Sequence, residues 1–251
     1  MQDSKEYLDK KSFFDKMLTI YGRNAVLEAL EDKNISIYRL HLSSSNKDAE
    51  VISKIKNLAN SRDIEIKYHT KESLSRVSKN AKQDQGVALD IELQYSNSEI
   101  EFMKDNSNYR LIALDRVQNP QNLGMIIRSI TAGNIDGLIL EDKNSAKISP
   151  LVIKASAGTL FKIPIIKTKS LYKTLKAFQN SNADIYTLSP NAKINYKEQQ
   201  YGDKTIFILG NESDGVSKEI EGISDKLIKI DMNRGVESLN VAVTASLLAF
   251  L

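Results

Sequence analysis

Tyr109-Arg-Leu-Ile-Ala-Leu114, followed by Asp115-Arg-Val-Gln-Asn-Pro-Gln-Asn-Leu-Gly124, decides how this chain is read. An apolar run ends in a polar turn, and the turn feeds a helical segment from Asn122 to Ala132. A strand that is apolar on both faces belongs in a parallel sheet covered by helices on both sides. The same alternation continues downstream. Strand Gly137 to Leu140, a helix near Pro150 to Ala157, strand Ile163 to Ile166, helix Ser170 to Phe178 and strand Asp184 to Leu188 come in turn. Strand Thr205 to Leu209, strand Leu227 to Ile230 and a last helix from Ser238 complete it. Alternating strands and helices predict an α/β fold with a mostly parallel sheet across residues 109–251.

Upstream the pattern changes. Residues 95–108 are polar at both ends and read as a linker, with Ile100, Phe102 and Met103 making one helical turn. Residues 21–94 form a second, smaller α/β unit. Ala25, Val26, Ala29 and Leu30 mark a helical stripe, and Ile35 to Leu42 alternates as a strand with one phase slip. A helix through Val51, Ile55 and Ala59, a strand at Ile64 to Ile66, a helix over Lys71 to Ser78 and a strand Gly86 to Ile91 follow. Residues 1–20 read as a tail that ends in a short helix bearing Phe13, Phe14, Met17 and Leu18.

Composition narrows the chemistry. Among 251 residues there is no cysteine, which excludes disulfides, thiolate metal sites and cysteine nucleophiles. The only two histidines, His41 and His69, stand in strand-like contexts and read as structural, so neither a His-centred triad nor a metal site is expected. A formal net charge of +3 points only weakly to nucleic acid; positive charge must be concentrated on one face to matter. The first residues lack an apolar signal core, and the apolar stretch Val241 to Leu251 falls short of the ~18 residues that span a bilayer. The expectation is a cytoplasmic protein without a membrane partner.

In parallel α/β sheets, ligands sit at the carboxyl ends of the strands. Three polar segments lie there: Asp115 to Gly124, Leu209-Gly-Asn-Glu-Ser-Asp-Gly215, and Ile230-Asp-Met-Asn-Arg-Gly-Val-Glu-Ser-Leu-Asn240. No two glycines stand one residue apart, and no glycine precedes Lys-Ser or Lys-Thr. Neither a dinucleotide loop nor an NTPase phosphate loop is therefore present.

In order and spacing, these segments resemble the three motifs of the SpoU family of RNA ribose methyltransferases, a branch of the knotted SPOUT class. The matches are Leu114 to Gly124 with Arg128, Leu209-Gly-Asn-Glu212 with Gly215, and Ser238-Leu-Asn-Val-Ala-Val243. Lys154 to Leu160 with Ile163-Pro164 is similar too, and Tyr21-Gly-Arg-Asn-Ala-Val and Gln85-Gly-Val87 resemble the ribosomal-protein-like substrate-binding domain fused ahead of it. The resemblance implies a trefoil knot, a homodimer, S-adenosylmethionine as cofactor without metal, and RNA, foremost large-subunit ribosomal RNA, as substrate. It implies that Arg128, Asn122, Glu212, Ser238 and Asn240 form the catalytic set, with Glu212 an anchor for Arg128. Gly210, Ile230, Leu239, Leu209 and Leu188 match positions that hold the cofactor. The chain departs from the pattern at Asp231 (usually Pro), Arg234 and Ser213 (usually Gly) and Asp84 (often His).

Each role has a plainer reading. Arg128 can lie along Ile126, Ile127 and Ile130 as a surface side chain, Asn122 can cap its helix, and Ser238 can cap the last one, with Asn240 in its first turn. A tRNA ribose methyltransferase and a catalytically silent RNA-binding protein of the same fold remain alternatives.

Overall fold

The computed structural model describes residues 17–33, 35–47, 49–79, 84–92 and 98–251, so most of the expected tail and part of the expected linker lie outside the described residues. The chain divides into two units, Met1–Gln94 and Tyr95–Leu251.

The first unit runs β1 (Met17–Tyr21), α1 (Arg23–Glu31), β2 (Ser36–Ser43), α2 (Glu50–Ser61), β3 (Glu65–His69), α3 (Lys71–Ser78) and β4 (Val87–Glu92). Its sheet order is β1-β4-β2-β3, with β4 antiparallel to both neighbours and β2 parallel to β3. Met17 and Leu18, expected in a helix, instead belong to β1, where they oppose Glu92 and Ile91 of β4. Strand pairing of that kind links residues far apart in sequence, which local periodicity cannot report. The phase slip in β2 is an irregularity between Ile37 and Arg39 where the register against β4 shifts.

The second unit opens with α4 (Glu99–Asp105), where the helical turn expected at Ile100, Phe102 and Met103 within the linker is a seven-residue helix. Ser98 accepts from the Glu101 N–H while the Glu101 carboxylate accepts from the Ser98 N–H, a reciprocal capping box. Phe102 anchors it, edge-on to Tyr109 and Phe178 at ring separations of 5.6 and 6.4 Å. The order is then β5 (Tyr109–Leu114), α5 (Pro120–Ala132), β6 (Gly137–Glu141), α6 (Pro150–Ala155), a 3-10 turn (Thr159–Lys162), β7 (Ile165–Thr168), α7 (Leu171–Asn180) and β8 (Asp184–Leu188). A two-residue strand that the sequence reading missed, β9 (Ile194–Asn195), precedes β10 (Lys204–Leu209), α8 (Lys218–Glu221), β11 (Lys226–Lys229) and α9 (Val241–Ala249).

The sheet order is β7-β6-β5-β10-β8-β11-β9, and every pairing is parallel. Leu111 and Ala113 share one core with Ile206, Ile208, Leu175 and Phe178, while the intervening Ile112, Leu114 and Phe207 are equally buried outside that cluster. Both faces are thus covered, which is why the strands read as unbroken apolar runs. From β5 the chain moves to β6 and β7 on one side, then crosses to β8, β10 and β11 on the other. The order reverses between β5 and β10, the crevice where such sheets place ligands.

Candidate active site

Registered pairing of Leu114 with Leu209 brings the ends of β5 and β10 level, so the turns that follow them meet. Asp115, buried, accepts from the Ser217 N–H at 2.6 Å, and Arg116 donates to the Gly215 carbonyl at 3.2 Å. Asn211 donates from its side chain to the Arg116 carbonyl at 3.0 Å, and Asn211 and Gly215 exchange backbone bonds of 3.1 and 2.9 Å. These contacts hold the Glu212 turn against the turn after β5. Asp115, Arg116 and Asn211 were not singled out from sequence; the available signal was a carboxylate placed directly after an apolar strand. Gly210 sits so close to the returning chain that a Cβ there would lie 2.1 Å from the Gly215 carbonyl carbon.

Pro120 takes the first position of α5 and Asn119 caps it, its Oδ1 accepting from the Gln121 and Asn122 N–H groups at 2.8 and 3.3 Å. Asn122 is therefore not the cap. Proline's fixed φ and missing N–H suit the first helical position, which moves the start upstream and frees the Asn122 side chain. The Asn122 amide donates to Glu212 Oε1, and its own Oδ1 accepts from Asn240 Nδ2 at 3.1 Å. Asn240, rather than Ser238, caps α9, its Oδ1 accepting from the Ala242 N–H at 2.8 Å. One side-chain chain, Glu212–Asn122–Asn240, thus joins all three polar segments. Within the chain Glu212 meets Asn122 rather than Arg128.

Beside this chain lies a cavity of about 730 Å³ over the carboxyl ends of the neighbouring strands β10, β8 and β11. Leu188, Leu209, Gly210, Ile230 and Leu239 all line it, together with Glu212 and Ser238. Asn122, Asn240 and Arg128 do not. Arg128 is exposed on α5, and its guanidinium makes no hydrogen bond or ion pair with the described residues.

The lining tests what the cavity can hold. Five carboxylates (Glu212, Asp214, Glu221, Asp231, Glu237) face two ammonium groups (Lys218, Lys229). Such a balance opposes a polyphosphate and favours a cation, because Coulomb attraction is weakly screened in a concave wall. Leu188, Leu209, Ile230 and Val241 supply apolar surface for a planar base. S-adenosylmethionine, a sulfonium joined to adenosine, fits that donor set. Asp231 is already engaged, held below the ordinary carboxylate range by Lys229 at 2.8 Å and by Asn195 at 2.7 Å. Arg234 lies at φ 58, a left-handed conformation that costs a side-chain-bearing residue roughly 1–2 kcal/mol and explains the glycine usual at this position.

Comparison with known proteins places this geometry. The sequence model described as the SpoU rRNA Methylase family matches residues 109–250, and that for RNA 2′-O ribose methyltransferase substrate binding matches residues 19–96. The chain belongs to the SpoU rRNA methylase family. Members of this family are RNA methyltransferases that use S-adenosylmethionine. A putative TrmH family tRNA/rRNA methyltransferase from Staphylococcus saprophyticus is 28% identical over 237 residues, covering 93% of this chain and 94% of that protein. The 23S rRNA (guanosine-2′-O-)-methyltransferase RlmB of Xylella fastidiosa is 28% identical, covering 92% of this chain and 94% of the relative. Among solved structures, the SpoU methyltransferase AviRb from Streptomyces viridochromogenes, in complex with AdoMet, superposes with a TM-score of 0.83 at 18% identity, covering 96% of this chain and 90% of that one. An AdoMet-bound rRNA methyltransferase from Sinorhizobium meliloti gives 0.77 at 21% identity, with 98% and 88% covered. At those identities the likeness carries the fold alone.

Proposed function

We propose that this SpoU family chain methylates a ribose 2′-hydroxyl of large-subunit ribosomal RNA in the cytoplasm, as a homodimer whose catalytic unit carries the trefoil knot of its class. The carrying observation is the Glu212–Asn122–Asn240 chain at the edge of an acid-lined cavity, which unites the three motif segments. Bound S-adenosylmethionine supplies an electrophilic methyl on sulfonium. The protein's task is to hold the ribose oxygen in line with it, and positioning of that kind can supply ~7–11 kcal/mol. Arg128 stabilises the alkoxide that develops as the hydroxyl proton leaves to phosphate or water; a guanidinium keeps its own proton and so acts by charge rather than as a base.

Homodimerisation is supported by the surface of the last helix. Val243, Leu247 and Phe250, 44%, 36% and 65% exposed, recur at one-turn spacing along α9 and its end, and Met125 of the adjacent α5 is 47% exposed. Arg128 lies one turn beyond Met125 on α5 and does not line its own chain's cavity. We therefore assign it to the partner's cavity across this surface.

The test supplies labelled S-adenosylmethionine with unmodified 23S ribosomal RNA or tRNA and maps any 2′-O-methyl nucleotide by mass spectrometry. Transfer to ribosomal RNA is expected. Transfer to tRNA alone would move the substrate, and cofactor binding without transfer to either would leave a silent RNA-binding protein.

A further inference from the structure

The first unit contains a second cavity, of about 1030 Å³, lined by Arg23, Lys47 and Lys71 with Ser43, Ser45, Asn46, Ala49, Asp84, Gln85 and Gly86. Its charge is opposite to that of the cofactor cavity. Among the described residues the only lining carboxylate is Asp84, which is 5% exposed and turned inward, accepting from the Gly86 N–H at 2.9 Å and from Ser78 Oγ at 3.1 Å. Among the described residues, three cations therefore face the opening without an outward-facing anion in the wall. The ammonium groups of Lys47 and Lys71 make no hydrogen bond or ion pair with the described residues. Arg23 is oriented by its Nε, which donates to the Gln85 carbonyl at 3.3 Å, leaving the rest of its guanidinium unengaged by the described residues.

The backbone adds to this field. Arg23 begins α1, Ala49 precedes α2 and Lys71 begins α3, so three helices of 9, 12 and 8 residues turn their amino ends to one cavity. Each such end carries about half a positive charge. Ala49 places no side chain over the first N–H groups of α2, whereas the Arg23 N–H of α1 donates to Gln85 Oε1 at 3.0 Å and Thr70 Oγ1 caps α3 by accepting from the Ser73 N–H at 3.2 Å. Glu50 and Glu72, the acidic residues of those first turns, do not line the wall. The floor is tightly built: the Asn46 amide donates to the Gly86 carbonyl at 2.8 Å and fills the space that a Cβ on Gly86 would need.

We propose that this cavity seats the sugar–phosphate backbone of an unpaired stretch of the RNA substrate, with Arg23, Lys47 and Lys71 as its phosphate ligands. The inference rests on the substrate being RNA, as proposed above. Its volume exceeds the needs of one phosphate ion, and a concave wall admits splayed nucleotides where a duplex presents a broad convex face. Polar neighbours such as Ser43, Ser45 and Asn46 are suited to sugar and base edges.

Fluorescence anisotropy with a labelled single-stranded oligouridylate over a salt series, on the full chain, tests the seat. Each phosphate contact contributes about 0.7 to the slope of log affinity against log salt for single strands. The variant Arg23→Gln/Lys47→Gln/Lys71→Gln should lose about 2 from that slope and bind on the order of 10- to 100-fold more weakly. Lys33→Gln, at the far end of α1, should change little. Unaltered melting and unaltered S-adenosylmethionine affinity establish that the triple variant is folded, and the three single variants, each expected to lose about a third of the slope change, serve if it is not. A triple variant, or three single variants, with the slope of Lys33→Gln would overturn the seat while leaving the methyltransferase reading intact. A wild-type chain that binds neither the oligonucleotide nor 23S ribosomal RNA would overturn both.

Discussion

Arg128 matches its motif in sequence and yet lines neither described cavity of its own chain. It stands exposed on α5, and the cavity lined by Leu188, Leu209, Gly210, Ile230 and Leu239 does not include it. If it meets the ribose oxygen across a subunit contact, Arg128→Ala should slow single-turnover methyl transfer by on the order of 10²-fold or more, the scale set by one preorganised donor. S-adenosylmethionine affinity should hold. Arg128→Lys should remain slow, since an ammonium lacks the planar fork of the guanidinium. A near-native rate for the alanine variant would reduce Arg128 to surface packing over Ile126, Ile127 and Ile130. At this scale the roles of Asn122 and Asn240 were only half legible. The residue types were visible in sequence, but Asn119 and Pro120 decided that Asn122 would not be spent on capping.

At the scale of elements, the first unit holds a polar chain that crosses its whole sheet. Thr19 of β1 donates to Asp90 Oδ1 of β4 at 2.6 Å, and Asp90 Oδ2 lies 2.9 Å from His41 Nε2 of β2. His41 Nδ1 lies 2.9 Å from His69 Nε2 of β3, and His69 Nδ1 lies 3.3 Å from Ser73 Oγ of α3. An ionised Asp90 only accepts, so His41 Nε2 donates to it. Burial alone would discourage ionisation of Asp90, but hydrogen bonds from His41 and Thr19 outweigh it and hold the carboxyl below its ordinary range. Burial, then the charge of His41, Lys67 and Arg39, lowers His69. Both folded pKa values are depressed, so the unfolded chain binds more protons as acid is added. Stability from His69 is full above the ordinary imidazole value of about 6.5 and is lost as pH falls through its lowered folded value; stability from Asp90 is lost at lower pH still. Asp90→Asn should lower the melting temperature at neutral pH and flatten the acid side of the melting curve. An unchanged acid profile would show that the chain carries no such linkage. Neither histidine's partner was legible, because four strands from residues 19 to 90 must pair before they meet.

For the whole molecule, the exposed stripe on α9 sets the expectation. Large apolar side chains left in water at regular spacing mark a contact surface, and burying each contributes about 1.5–3 kcal/mol. Leu247→Glu combined with Phe250→Glu should convert a dimer to a monomer in sedimentation velocity. Methyl transfer should fall with it, since each cavity would lose the partner's Arg128, while cofactor binding persists in part. A wild-type chain that sediments as a monomer at working concentration would sink the shared-site arrangement.

Continuous apolar runs and their alternation with helical stripes determined, from sequence alone, the parallel α/β sheet, and with it the rule that ligands lie at strand ends. Leu188, Leu209, Gly210, Ile230 and Leu239, the positions that the family resemblance assigns to the cofactor, gather on one cavity. Tertiary structure alone decided the rest. The expected helix at Met17 and Leu18 became a strand because β4 was there to pair with it, and α4 formed from apparent linker because Phe102 found Tyr109 and Phe178. It also decided that Glu212 pairs with Asn122 and that Arg23, Lys47 and Lys71, remote in sequence, share one hollow. Periodicity reports which face of an element is buried; which side chains then meet depends on the packing of segments remote in sequence, and no local pattern encodes that distance.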